Sequence, residues 1–177
     1  MKDTKQLIRH ITRGALIAAM YAALTLLASF FGLAFGPIQV RVSEALTILP
    51  AFSASTIPAL TIGCLLANLI GLISGSPLGW LDLIVGTAAT LVSALLSYRL
   101  RNIRWKGLPV LSTLPPVLCN ALFVGLELTF ALHGGFLPAM FGWYALTVGL
   151  GQAVACIGLG LPLYALILSR SLDRFFE

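Results

Sequence analysis

Glu127 stands in the run ALFVGLELTFAL, with no Lys or Arg within two helical turns and with Asn120 seven residues earlier on the same helical face. An ionisable side chain near the centre of a bilayer costs about 2.5–3.5 kcal/mol on insertion scales, so its presence in so apolar a run points to a task. The task a carboxylate suits is accepting hydrogen bonds from a ligand that brings N–H donors or positive charge. Three more ionisable residues interrupt apolar sequence: Arg41, Glu44 and Asp82. Arg41 and Glu44 are three apart, share a helical face and can neutralise each other. Asp82 follows Trp80 at a helix start, where the dipole favours a carboxylate and free N–H groups can be capped. Glu44, Asp82 and Glu127 against Arg41 leave a formal excess of negative charge, which again suits a ligand rich in donors. Asn68, Asn120 and Gln39 add amide groups. Trp80, Trp143 and Tyr144 are either interfacial belt residues or a stacking wall for a flat heterocycle.

These residues need elements that hold them at one depth. The 177 residues are 59% hydrophobic and 10% charged, and the mean hydropathy is +0.99, which excludes a soluble domain with a wetted surface. The chain reads as an all-α integral membrane protein, one domain over residues 1–177. Of the 11 Lys and Arg residues, all but Arg41 fall in three clusters: Lys2, Lys5, Arg9 and Arg13; Arg99, Arg101, Arg104 and Lys106; Arg170 and Arg174. Basic residues flanking spans stay on the cytoplasmic side, so both termini and the central loop are expected there, and the number of spans on each side of that loop is even. Clear apolar spans lie at about 11–31, 57–74, 80–100, 108–132 and 142–168, bounded by Gly and Pro signals. Parity requires a sixth, which residues 38–54 supply although Arg41 and Glu44 interrupt them. In this six-helix topology Arg41, Glu44, Asn68, Asp82 and Glu127 fall in the outer half of the membrane, with Gln39, Trp80, Trp143 and Tyr144 at the same face, as a polar cup open outward on an apolar body. The apolar stretch from Ile11 to Phe35 is too long for a signal-peptide core. Cys64, Cys119 and Cys156 each sit in an apolar run and read as packing residues, with neither a disulfide nor a metal framework.

The first span carries two interleaved small-residue stripes, one of Gly14, Ala18 and Ala22 and one of Ala15, Ala19 and Ala23. Such stripes let helices approach closely in lipid, and two on opposite flanks leave one free for another subunit. Gly63, Ala67, Gly71 and Gly75 repeat the device and read as internal packing. The sequence holds no phosphate-binding loop, no H-E-x-x-H and no G-x-S-x-G, so it reads as a binding subunit without its own ATPase and not as an enzyme.

The stretches FGPIQVRVSEALTILP (35–50), CLLANLIG (64–71) and WLDLIVGTAATLVSALL (80–96) resemble the QueT family, whose members are substrate-binding S components of energy-coupling factor transporters linked to uptake of queuosine precursors. The resemblance implies a six-helix S component in the plasma membrane that captures a 7-deazaguanine outside and docks on a transmembrane coupling subunit with two ABC ATPases. It implies no cofactor, no metal and no nucleic-acid partner. Docking in that superfamily uses an A-x-x-x-A face on the first helix, for which Ala15, Ala19 and Ala23 or Ala18 and Ala22 qualify. A 7-deazaguanine would place its guanine edge on Glu127 or Asp82, its carbonyl and ring nitrogen on Asn68 and Asn120, its ring on a Trp, and an aminomethyl cation on a further carboxylate, Glu44 included. Arg41 either touches the ligand or holds Glu44. Rival expectations are an S component for another vitamin and a solitary ion- or proton-coupled carrier in which Glu127 and Asp82 titrate.

Overall fold

The computed structural model describes residues 2–176, which are helical throughout apart from loops and turns. The α-helices are α1 (Lys2–Phe30), α2 (Thr56–Ile73), α3 (Trp80–Leu100), α4 (Leu114–His133), α5 (Pro138–Ala153) and α6 (Gly160–Ser169). A π-helical turn, Val154–Leu159, joins α5 to α6, so that Pro138–Ser169 forms one apolar rod of 32 residues. Five helical segments among the described residues are long and apolar enough to cross a bilayer. With the hydropathy of the chain this makes it a multi-pass membrane protein.

The expected second span takes a different form. Only Val42–Ala51 is helical there, and it is a 3-10 helix of ten residues. At about 2 Å rise per residue it covers roughly 20 Å, short of a bilayer core by itself. The sequence explains the geometry: Pro50 has no N–H to give, and the Thr47 hydroxyl donates to the Glu44 carbonyl at 2.6 Å. The segment still runs the height of the bundle. At one end Thr147 donates to the Pro37 carbonyl. At the other, Phe52 stacks on Tyr164 and Phe176, 4.5 and 5.2 Å between centroids. Residues 43–51 are all buried, and α1, α3, α6 and the π-turn pack around them. A short polar-interrupted segment can hold this place because protein, not lipid, surrounds it.

The other helices pack on their sequence neighbours, α1 on α2 through to α4 on α5. Small residues set the spacing: a Cβ on Gly63 would lie 2.8 Å from the Ala18 carbonyl and from Tyr21 Cβ, and one on Gly71 would meet the Phe35 ring. Ala67 is fully buried, so the stripe is internal over Gly63, Ala67 and Gly71, whereas Gly75 lies past the end of α2 in an exposed turn. Further differences from the expected bounds have local causes. Helix α1 extends back to Lys2, α4 is preceded by a 3-10 turn at Val110–Thr113 and begins with Pro115 and Pro116 in its first turn, and the last rod begins at Pro138. Gly134 closes α4 in the left-handed conformation, φ 69°, with its N–H on the Phe130 carbonyl. The π-turn lies just before Pro162, whose ring cannot sit under the carbonyl four residues back in a regular helix.

The basic clusters come together at one end of the bundle. The Arg13 guanidinium lies over Phe175, and Arg104 lines a cavity with Phe52, Asp173 and Phe176. The opposite end carries the loop 31–41, the turn 74–79 and the α4–α5 junction.

Candidate functional site

Gln39, Arg41, Glu44, Asn68, Asp82, Asn120 and Glu127 are each no more than 4% exposed, and Arg41, Asn68, Asp82 and Glu127 come together at the end of the bundle that carries the loop 31–41. The polar set expected from sequence is therefore enclosed within the bundle and not an open cup. Arg41 leaves the extended backbone just before the 3-10 helix. Its Nη2 lies 2.8 Å from Asp82 Oδ2, its Nε donates to the Ala34 carbonyl at 2.6 Å, and its guanidinium sits over Phe35. The expected Arg41–Glu44 pair does not form, because the extended geometry at Arg41 (φ −80°, ψ 103°) takes it off the helical face that Glu44 occupies. Nor does Asp82 cap α3: it lies in the first turn and spends one oxygen on Arg41.

Glu44 is instead held by α1. Tyr21 Oη donates to Glu44 Oε1 at 2.5 Å, and the Thr25 hydroxyl donates to Ser43 Oγ at 2.7 Å. From the far side, Cys156 Sγ in the π-turn lies 3.6 Å from the Glu44 carbonyl and 3.6 Å from Gln152 Oε1. Asn68 of α2 donates to the Asp82 backbone carbonyl at 2.7 Å, and Gly86 is needed beside them because a Cβ there would overlap Asp82 Oδ1. Glu127 projects from α4 within electrostatic range of Asp82 and Arg41. Among the described residues Arg41 is ion-paired with Asp82, while Glu44 is held by Tyr21 and neither Glu127 oxygen is engaged.

Many of these atoms have no partner among the described residues: both Glu127 oxygens, both Gln39 amide atoms, Glu44 Oε2, Asp82 Oδ1, Asn68 Oδ1 and Asn120 Nδ2. A buried polar atom left unpaired costs about 1–3 kcal/mol, so a concentration of them on ionisable and amide side chains marks a place built to receive hydrogen bonds from something else; the hydroxyls of Thr87 and Ser97 are the other unpaired atoms among the described residues. Acceptors outnumber donors, and the surplus charge is negative. Such a site is complementary to a compact ligand with several N–H groups or a cation.

The aromatic residues divide. Tyr144 is buried and its hydroxyl lies 3.0 Å from His133 Nε2, at the α4–α5 junction. Trp80 and Trp143 are 62% and 56% exposed, on the outer surface of the bundle, away from the polar centre. A cavity of about 280 Å³ lined by Ser29, Ala34, Phe35, Gly71, Ser74 and Pro77, among others, adjoins the centre on the Phe35 side without including its carboxylates. Sequence reasoning missed Tyr21 as a partner of Glu44. The signal was present in the order Ala18, Tyr21, Ala22, Thr25, which puts two hydroxyls on the buried stripe of α1.

The same helix separates the two small-residue stripes. Ala18 and Ala22 are buried against the bundle, whereas Ala15, Ala19 and Ala23 are exposed. Beside the exposed stripe runs an apolar groove of about 470 Å³ between α1 and α2, lined in part by Ile11, Ala15, Pro58 and Ile62.

Comparison with known proteins gives two matches. The profile of the QueT transporter family matches residues 11–169. Over 78 residues the chain is 40% identical to a protein of Lactococcus lactis subsp. cremoris (strain MG1363) described as queuosine precursor transporter QueT; the stretch is 44% of this chain and 43% of that one. The chain thus spans less than half the length of this curated relative. No solved structure matches.

Proposed function

Since the chain belongs to the QueT transporter family, we propose that it is the substrate-capturing S component of an energy-coupling factor importer and that its ligand is a 7-deazaguanine precursor of queuosine. The observation that carries the ligand half of this reading is Glu127, a buried carboxylate with neither oxygen engaged by the protein. The guanine edge of a 7-deazaguanine presents a ring N–H beside an exocyclic amino group, which one carboxylate accepts through two parallel, charge-assisted bonds. Asp82 Oδ1 and Glu44 Oε2 are then available for a cationic substituent such as an aminomethyl group, and Asn120 Nδ2 for the ring carbonyl. Arg41 organises the site by fixing Asp82; it does not need to touch the ligand.

In this reading the polar centre faces the outside and the basic end the cytoplasm, in keeping with the retention of Lys and Arg on the inner side. The exposed stripe Ala15, Ala19 and Ala23, with the apolar groove beside it, is the face that docks on a transmembrane coupling subunit, and two ABC ATPases supply the energy. Ala18 is already used against Gly63 of α2, and Ala22 is buried in the bundle.

The test is calorimetric titration of the purified chain in detergent with 7-aminomethyl-7-deazaguanine, 7-cyano-7-deazaguanine, guanine, thiamin and riboflavin. Binding of a 7-deazaguanine in preference to the vitamins supports the reading; preference for a vitamin, or no binding of any 7-deazaguanine, overturns it.

A further inference from the structure

Gln39 has a tightly held backbone and an unused side chain. The residue is 1% exposed, and neither Nε2 nor Oε1 has a partner among the described residues. Its backbone is clamped from several directions. Gly151 of α5 sits so close that a Cβ there would overlap the Gln39 carbonyl, the Val40 N–H donates to the Leu33 carbonyl at 2.9 Å, and Thr147 holds the Pro37 carbonyl at 2.7 Å. Burial alternates along this stretch, with Ile38 exposed, Gln39 buried, Val40 half-buried and Arg41 buried, so Gln39 and Arg41 face inward together.

That shared face leads to Glu127. Arg41 reaches Asp82, and Glu127 lies within electrostatic range of both. Helix α5 closes the same region from the other side: Val148, three residues before Gly151, packs with Val124 and Leu128 on either side of Glu127. Gln39 and Glu127 are thus both buried where α5 packs on its neighbours, Gln39 on the inward face it shares with Arg41 and Glu127 beside the α4 residues that meet Val148.

A primary amide presents a donor beside an acceptor, and it pairs with an edge that offers an acceptor beside a donor. When a carboxylate takes the ring N–H and amino group of a 7-deazaguanine, N3 and N9–H (purine numbering) remain as an adjacent acceptor and donor. We propose that Gln39 hydrogen-bonds this N3/N9–H edge and so selects the free base over forms substituted at N9, nucleosides included. The proposal rests on the reading of the chain as a binder of 7-deazaguanines. An N9 substituent removes the donor that Gln39 Oε1 would accept from and adds bulk where the clamped backbone leaves no freedom to move. Sites built around a ligand N–H discriminate strongly against analogues that lack it, because their own buried polar atoms are then left unpaired.

The experiment compares 7-aminomethyl-7-deazaguanine with its 9-methyl derivative by calorimetry on the purified full chain, as wild type, Gln39→Ala and Gln39→Glu, with melting temperatures recorded for each. The wild type is expected to prefer the unsubstituted base by about 100-fold. Gln39→Ala is expected to bind the base more weakly and to bring the ratio toward one, a change in selectivity that general loosening of the fold would not produce. Gln39→Glu keeps size and shape and the acceptor for N9–H but loses the donor to N3. It is expected to weaken base binding while retaining part of the preference, and it carries the test if the alanine variant does not fold. Equal affinity of the wild type for both compounds, or an unchanged preference and affinity in the variants, overturns the assignment. Failure of the wild type to bind either compound overturns the parent reading together with this one, and is distinguishable because it appears before any substitution.

Discussion

Arg41 and Asp82 are 41 residues apart in sequence and 2.8 Å apart in space, and their pairing pins the entrance of the buried 3-10 helix to the first turn of α3. Both are nearly inaccessible, at 3% and 2%. Removing one member of such a pair leaves an uncompensated buried charge, at a cost of about 3–5 kcal/mol. Arg41→Ala and Asp82→Ala are each expected to lower the melting temperature in detergent strongly. The double variant Arg41→Met, Asp82→Leu should lose much less than the two single losses added together, since no charge is then stranded. Additive losses would mean that the two residues act independently.

What the sequence made legible follows from what hydropathy and charge encode. The bounds of α3 were readable at 80–100 because Gly79-Trp80 opens it and Arg99 and Arg101 close it. The counting of basic clusters called for a chain crossing between α1 and α2, and the segment through Val42–Ala51 does run from one end of the bundle to the other. Its 3-10 geometry was not readable, because an average over apolar residues says nothing about whether the hydrogen bonds close at three residues or four. The partner of Arg41 was hidden for a different reason. Glu44 is near in sequence, while Asp82 becomes near only once α2 and α3 have folded back. Gln39 was visible as a polar residue, but its burial depends on Gly151, more than 100 residues away.

Glu127 gives a prediction in which stability and binding move in opposite directions. Its two oxygens have no protein partner, and the negative charge of Asp82 lies nearby. Glu127→Gln removes the unpaired buried charge and keeps the volume, so the melting temperature of the ligand-free chain should hold or rise. Binding of a 7-deazaguanine should fall by roughly 2 kcal/mol, the scale of a charge-assisted hydrogen bond, which is about 30-fold. Calorimetry and thermal unfolding on the same preparation check both halves. A drop in stability with unchanged affinity would make Glu127 a structural residue.

Tyr21 tests how far the site leans on α1. Its hydroxyl is, among the described residues, the hydrogen-bond partner of Glu44 Oε1, and Tyr21→Phe would leave both carboxylate oxygens unpaired at a buried position. The expected loss of stability is about 1–3 kcal/mol, read from thermal unfolding. Glu44→Gln in the Tyr21→Phe background should recover part of it, because the stranded charge is gone. No recovery would place the defect in the packing of the Tyr21 ring instead.

The two flanks of α1 give the last prediction, because they differ in burial while being alike in sequence. Ala18 is 5% exposed with its backbone against Gly63, so the bulk of Ala18→Trp wedges the close α1–α2 approach and should destabilise the isolated chain, as judged by its melting temperature and by aggregation on size-exclusion chromatography. Ala19 points away from the bundle, and Ala19→Trp should leave the isolated chain folded and its ligand affinity unchanged. If the exposed stripe is the docking face, the same substitution blocks the close helix approach that small residues allow, and co-purification with the coupling subunit is lost. Ala15→Trp and Ala23→Trp, one turn to either side, should act in the same way. A folded Ala19→Trp chain that still assembles and transports would move the docking face off this side of α1, and the apolar groove between α1 and α2 would lose its assigned role with it.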